Sequence, residues 1–225
     1  VELQPRLLDV VVPSQPRGIV LVLHGGGSRE DPAVSPWQPS VLRMVPVAHA
    51  VGRAAGGQLA IFRLLNARRG WEPAGSRVGD AVWALNRALE RVGSDLPACL
   101  VGHSLGGRAA LMAAGHPAVR SSVALAPWVE PSDLATAVDG RRILVIHGTK
   151  DRVARLERAR QLAGTLSRQG AEVTFIEVRG GTHAMLAHRR HFDGLAAQFA
   201  ALTLLGDAGG PTMRRVAAGE RSLQI

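Results

Sequence analysis

Cysteine is nearly absent from this chain of 225 residues, lysine more so relative to arginine, and long apolar runs are missing altogether. The single cysteine, Cys99, excludes an internal disulfide, and its place in an apolar stretch reads as a small buried core residue rather than a reactive thiol. No stretch of about 18 apolar residues occurs, so a membrane span is not expected. The start, Val1-Glu2-Leu3-Gln4-Pro5, has no basic segment followed by an apolar one and no initiator methionine. That favours a cytoplasmic chain without a secretory signal, with room for a trimmed start. Lysine occurs once, at Lys150, so arginine supplies nearly all of the formal charge of +9. The arginines are dispersed as pairs (Arg68-Arg69, Arg141-Arg142, Arg189-Arg190, Arg214-Arg215) rather than gathered in a tract. Such dispersion reads as a compositional bias, and no nucleic-acid partner is expected from it.

What is present is an alternation of short apolar runs with longer amphipathic ones. Strands are expected at 10–12, 19–23, 59–65, 98–101, 122–126, 142–147 and 172–178. Helices are expected at about 40–55, with Pro46 marking a kink or late start, and at 76–92, 108–114, 152–169 and 184–205. Several strands are apolar throughout, which implies a parallel sheet buried on both faces: a three-layer α/β domain over residues 1–205. The segment 206–225, with Gly209-Gly210-Pro211 and scattered charges, is expected to be a loosely ordered tail.

The chemistry concentrates at strand ends. Gly102-His103-Ser104-Leu105-Gly106-Gly107 lies between the apolar run Ala98–Val101 and a helix-forming stretch. Gly-x-Ser-x-Gly alone carries little weight, but a strand, a glycine-bounded turn and a helix is the context in which a serine becomes an exposed nucleophile. In an open parallel sheet its partners should come from the carboxyl ends of other strands. Asp151 follows the strand at 142–147, and His183 follows the strand at 172–178. His183 is then the base that takes the serine proton, and Asp151 the acid that fixes its tautomer. Glu130 and Asp133 are alternative acids, and Asp151 could instead be only a helix cap. Oxyanion donors are expected from the backbone N–H of Leu105 and from Gly26, with Gly27 second, in His24-Gly25-Gly26-Gly27. His24 should brace that loop and His103 should pack beside the serine. His183, His188 and His191 lie close in sequence, but no cysteine or carboxylate completes a zinc set, so neither metal nor cofactor is expected. Trp71, Trp128 and Met185 are candidates for apolar pocket surface.

These three motifs, in the order Ser104, Asp151, His183, resemble the α/β-hydrolase family over roughly residues 7–204. The resemblance implies a mainly parallel sheet and acyl-transfer chemistry, most often on esters. Only residues 127–141 fill the place where larger members insert a cap, so the likeness is to capless small carboxylesterases and dienelactone-hydrolase-like enzymes. The expected activity is hydrolysis of a small or medium carboxylic ester, with a thioesterase or dienelactone-type hydrolase as the alternative substrate reading. A non-catalytic relative that binds a small ligand or a protein is the alternative of a different class.

Overall fold

A computed structural model of the chain describes residues 3–27, 34–71, 76–133 and 137–225. Its strands are β1 (Arg6–Val11), β2 (Ile19–Leu23), β3 (Ala60–Leu65), β4 (Ala98–His103), β5 (Val119–Leu125), β6 (Arg142–Gly148), β7 (Glu172–Val178) and β8 (Ser222–Gln224). They form one sheet in the order β1-β3-β2-β4-β5-β6-β7-β8. Only β1 runs antiparallel, on β3; the other pairings are parallel. Every residue of β2 and β4 is buried, as apolar runs without alternation require when helices cover both faces.

The short α1 (Pro39–Leu42) leads into α2 (Met44–Ala55), which with α6 (Leu195–Leu205) covers one face, their apolar side chains sharing a cluster with Val20, Val22, Val101 and Ile146. Helix α3 (Ser76–Val92) covers the other face beside Leu21, Phe62 and Leu100, and α4 (Leu105–Met112) joins it there through Ala109 and Ala110. Helix α5 (Leu156–Arg168) covers β6 and β7 through Ala159, Leu162 and Leu166. Burying one such leucine or isoleucine contributes on the order of 1.5–3 kcal/mol, and this sets the strand order and register. Residues 126–141 alone separate β5 from β6, so no cap domain is inserted there.

Three elements differ from expectation. The helix expected at 40–55 is broken at Arg43, and Pro46 sits in the first turn of α2, where an N–H has no intrahelical partner to lose. Helix α5 starts at Leu156 rather than at 152, because Asp151 Oδ1 accepts from the amides of Val153 (2.8 Å) and Ala154 (3.0 Å) in a turn. The helix expected from 184 begins later. Met185 has φ 52°, which a right-handed helix cannot accommodate, and a π-helical turn at Arg190–Gly194 leads into α6.

The largest correction is at the C-terminus. Residues beyond Gly206 are not loose: α7 (Pro211–Ala217) buries Met213 and Val216, and β8 adds the eighth strand beside β7 with Leu223 buried. Pro211 at the helix start, with a preset φ, and Met213 and Val216 three positions apart were the available signals. The three-residue strand is too short to announce itself.

Candidate active site

Strand β4 ends at His103, and the chain turns so sharply that Ser104 takes φ 55°, ψ −119° before α4 begins. For a residue with a Cβ this is a strained conformation, and the surroundings enforce it. A Cβ on Gly102 would lie 2.0 Å from the Gly106 carbonyl oxygen, and one on Gly106 would lie 2.4 Å from the Leu23 oxygen. Only glycine permits those approaches. Backbone bonds stitch the turn to the end of β5: Ser104 N–H donates to Leu125 O (2.9 Å), and Trp128 N–H donates to Ser104 O (3.2 Å). Ser104 itself is 7% exposed. Leu105 is the first residue of α4, where backbone amides lack intrahelical acceptors.

The glycine loop after β2 lies against this turn. A Cβ on Gly25 would be 3.3 Å from Ser104 Cβ, so the loop packs directly on the serine, and Gly26 and Gly27 continue from there. Two buried side chains hold it. The ring of His24 donates from Nδ1 to Gly25 O, and its Nε2 accepts from the Asn66 amide (3.1 Å). Burial first, then the charge of Arg77, pushes His24 down to about 4, so the ring is neutral. Arg77 on α3 is 1% exposed and donates to the carbonyls of His24 (3.3 Å), Gly70 (2.8 Å) and Arg69. It fills the space that a Cβ on Gly26 would need. The bracing role of His24 was legible in the sequence; Arg77, one arginine among many, was not.

Strands β6 and β7 are neighbours, and their loops zip together. A Cβ on Gly148 would collide with Gly181 O at 2.2 Å, Lys150 N–H donates to Gly181 O (2.9 Å), and Gly180 N–H donates to Thr149 Oγ1 (2.9 Å). This contact brings His183 Nδ1 within 2.8 Å of Asp151 Oδ2. A carboxylate accepts, so the proton sits on Nδ1 and the Nε2 lone pair is left for another partner. Asp151 also accepts the two turn amides and lies 3.3 Å from His147 Nε2, a fully buried ring at the end of β6 that also approaches Ala154 O (3.2 Å). Burial alone would raise the Asp151 carboxyl, but its bonds to His147 and His183, the His183 charge and the Ala154 amide outweigh it. The group is held well below the ordinary carboxylate range.

His103 links the serine turn to this pair. Its Nε2–H donates to the carbonyl of His183 (2.9 Å), and the two rings lie 4.8 Å apart. The next carbonyl, that of Ala184, accepts from Arg43 Nε (2.7 Å), while Arg43 pairs with the buried Asp193 (2.7 Å). Two successive carbonyls of the His183 loop are thus pinned, one from β4 and one from the α1–α2 junction. Ser104 Oγ makes no hydrogen bond among the described residues, so in this structure the serine meets His183 through His103 rather than directly.

The alternative acids are engaged elsewhere. Glu130 pairs with Arg158 (2.5 Å), and Asp133 pairs with Arg108 (2.5 Å) while accepting from the Glu130 amide (2.9 Å). The pocket candidates are also partly committed. The Arg108 guanidinium lies 3.9 Å from the Trp71 ring centroid and 5.6 Å from that of Trp128. Met185 is fully buried beneath the loop, with Sδ against Gly181, so it packs the core and does not line a pocket. Its left-handed backbone turns it inward. Cys99 is buried as expected, its thiol pushed up to about 12 by burial.

Arg108 and Asp133 are both under a tenth exposed, so removing one strands the other. Arg108→Met should cost ~3–5 kcal/mol in urea unfolding, and Arg108→Met with Asp133→Leu should recover most of it. A single-variant cost below ~1 kcal/mol would show that the pair stabilises nothing.

A family model described as the alpha/beta hydrolase family matches residues 78–194. No curated protein matches the chain at a significant level. Among solved structures, Est1E from Butyrivibrio proteoclasticus with bound ferulic acid is similar at 13% identity, over 88% of this chain and 95% of that one, with TM-score 0.64. A protein from Agrobacterium tumefaciens described as a putative alpha/beta hydrolase is 18% identical over 90% of this chain and 92% of its own, with TM-score 0.65. An esterase from Pyrobaculum calidifontis is 15% identical over 88% and 86%, with TM-score 0.62. At such identities these neighbours speak to the fold, while the family model spans more than half of the chain: the protein belongs to the alpha/beta hydrolase family.

Proposed function

We propose that the protein is a serine hydrolase that cleaves a small or medium carboxylic ester through an acyl-enzyme, with Ser104 as nucleophile, His183 as base and Asp151 as orienting acid. The observation that carries this reading is the 2.8 Å bond from His183 Nδ1 to Asp151. It leaves Nε2 with the lone pair, in a loop tied to His103, the residue before Ser104. Two of the structural neighbours are named as esterases or carry ferulic acid, which agrees with ester chemistry.

In the first step Ser104 Oγ forms a bond to the ester carbonyl carbon as His183 Nε2 takes its proton. The carbonyl electrons move onto oxygen, where the N–H of Leu105 and that of Gly26, or Gly27, receive them. Each such donor is worth roughly 3–4 kcal/mol of barrier. Collapse expels the alcohol, which leaves with the proton from Nε2. Water then repeats the sequence on the acyl-enzyme and releases the acid. The low-lying Asp151 carboxyl stays ionised throughout and stabilises the imidazolium without taking its proton. The same steps would serve a thioester.

Labelling with a fluorophosphonate tests the nucleophile, and a p-nitrophenyl ester series of increasing chain length tests the open pocket, for which short chains should be preferred. A folded protein that neither labels nor turns over any ester of the series would favour a binding role instead. For the acid, Asp151→Asn should lower kcat by ~10²–10⁴-fold. Glu130→Gln should leave it within a few-fold, and the reverse pattern would assign the role to Glu130.

A further inference from the structure

Six large apolar side chains are exposed among the described residues; of these, Val153 (59%) and Leu186 (70%) lie on the segments after β6 and β7 that carry Asp151 and His183, while Trp37 (79%) and Leu42 (44%) lie just before α1 and at its last residue, next to Arg43. Their placement follows from contacts already described. Leu42 precedes Arg43, whose guanidinium bonds the Ala184 carbonyl, and Trp37 stands in the turn leading into the same helix. Val153 lines one open cleft with His183, Ala184, Lys150 and Arg152. Leu186 follows two residues after Ala184.

Among the described residues, the charge on the segments after β6 and β7 is one-sided. Lys150, Arg152, Arg155, Arg189 and Arg190 are exposed on the same two loops, and none is ion-paired among the described residues. Four described carboxylates nearby are taken: the side chain of Asp151 is fully buried, Asp193 is closed in by Arg43, Asp133 by Arg108, and Glu130 is held by Arg158. Apolar tips, one of them an almost fully exposed tryptophan, set among unpaired cations are the chemistry of a water–lipid interface: the tips enter the acyl boundary while the cations meet anionic headgroups. Dispersed arginines that suggest only a compositional bias along the sequence become, in the fold, a cationic rim.

We propose that this end of the molecule is a docking surface for an anionic lipid bilayer, seated by Trp37, Leu42, Val153 and Leu186 and by the five cations, with the mouth of the serine site turned towards the lipid. The proposal concerns the surface and stands whether or not the site hydrolyses an ester.

The test is co-sedimentation of the full chain with 100 nm vesicles of phosphatidylcholine containing about 30% phosphatidylglycerol, against vesicles of phosphatidylcholine alone. At near-physiological salt the anionic vesicles should bind at least ~10-fold tighter, and raising the salt several-fold should weaken that binding by a similar factor. Arg189→Gln with Arg190→Gln should weaken it ~10-fold or more. Trp37→Gln with Leu186→Gln should also weaken it, and Trp37 fluorescence should shift to the blue on docking. Arg17→Gln with Arg53→Gln removes the same charge from the opposite end of the sheet and should leave binding unchanged. The proposal is overturned by absence of binding to the anionic vesicles, by equal loss in the opposite-end control, or by indifference to the Trp37 and Leu186 changes together with equally tight binding of a single-stranded RNA. That last result would describe a surface for any polyanion rather than for lipid.

Discussion

Ser104→Ala should lower kcat for any ester that the protein hydrolyses by at least ~10³-fold and abolish fluorophosphonate labelling, with little change in stability. The two halves of this expectation have separate origins. The loss of rate follows from the proposed role of the hydroxyl as the atom that forms the acyl bond. The unchanged stability arises because Ser104 Oγ donates to and accepts from nothing among the described residues, while its backbone bonds to Leu125 and Trp128 survive the change. Alanine keeps the Cβ, so the strained φ of 55° is neither relieved nor worsened. The unfolding free energy should therefore stay within about 1 kcal/mol of the parent. Measuring both on the same preparation separates a lost nucleophile from a collapsed turn. If Ser104→Ala retained more than a tenth of the esterase rate, the nucleophile would have to be sought elsewhere.

How much of this was readable in advance depends on the range over which each signal acts. The strands, the serine turn and the glycine loop are local patterns: an apolar run, a glycine that must lie against a backbone, a helix that must start. The positions of Asp151 and His183 at strand ends were readable because a parallel sheet gathers such ends on one edge. What joins those parts was not readable. Arg77 beneath the glycine loop and Arg43 on the Ala184 carbonyl act across elements, over 53 and 141 positions of sequence respectively. In a chain with 27 basic residues a buried arginine looks like any other until the fold encloses it. His103 is the intermediate case. Its place beside the serine was plain, but its bond to His183 O spans 80 positions and depends on β4 and the β7 loop meeting. Met185 and the C-terminal tail failed in opposite directions. The sequence around Met185 suggested a helix and a methionine available to line the pocket, where a single left-handed residue buries it. The composition of the tail suggested solvent, where three apolar residues suffice to dock it.

The same buried histidines make the fold acid-sensitive, and the expected effect is large. His24 is held down to about 4 and His103 to about 3, in both cases chiefly by burial, against about 6.5 for an unfolded chain. Both pKa values are depressed, so below about pH 6.5 the unfolded state binds the protons that the folded state refuses. Stability is then fully present above that pH and falls as acid is added, by ~1.4 kcal/mol per pH unit for each ring. Two rings falling together remove on the order of 5 kcal/mol by about pH 4.5, comparable with the entire stability of many domains. The Asp151 carboxyl, also depressed, adds its loss only below about pH 4, after most of the histidine effect has been spent. Urea unfolding between pH 7.5 and 5 should therefore show the midpoint dropping steeply through the range where carboxylates are still ionised. His103→Gln places an amide nitrogen about where Nε2 donates to His183 O and removes one titrating group. It should roughly halve the slope at some cost in stability at neutral pH. A midpoint that stays level from pH 7.5 to 5 in the parent protein would mean that these rings accept protons in the folded state. The neutral tautomers assigned to His24 beneath the glycine loop and to His103 on the His183 carbonyl would then be wrong.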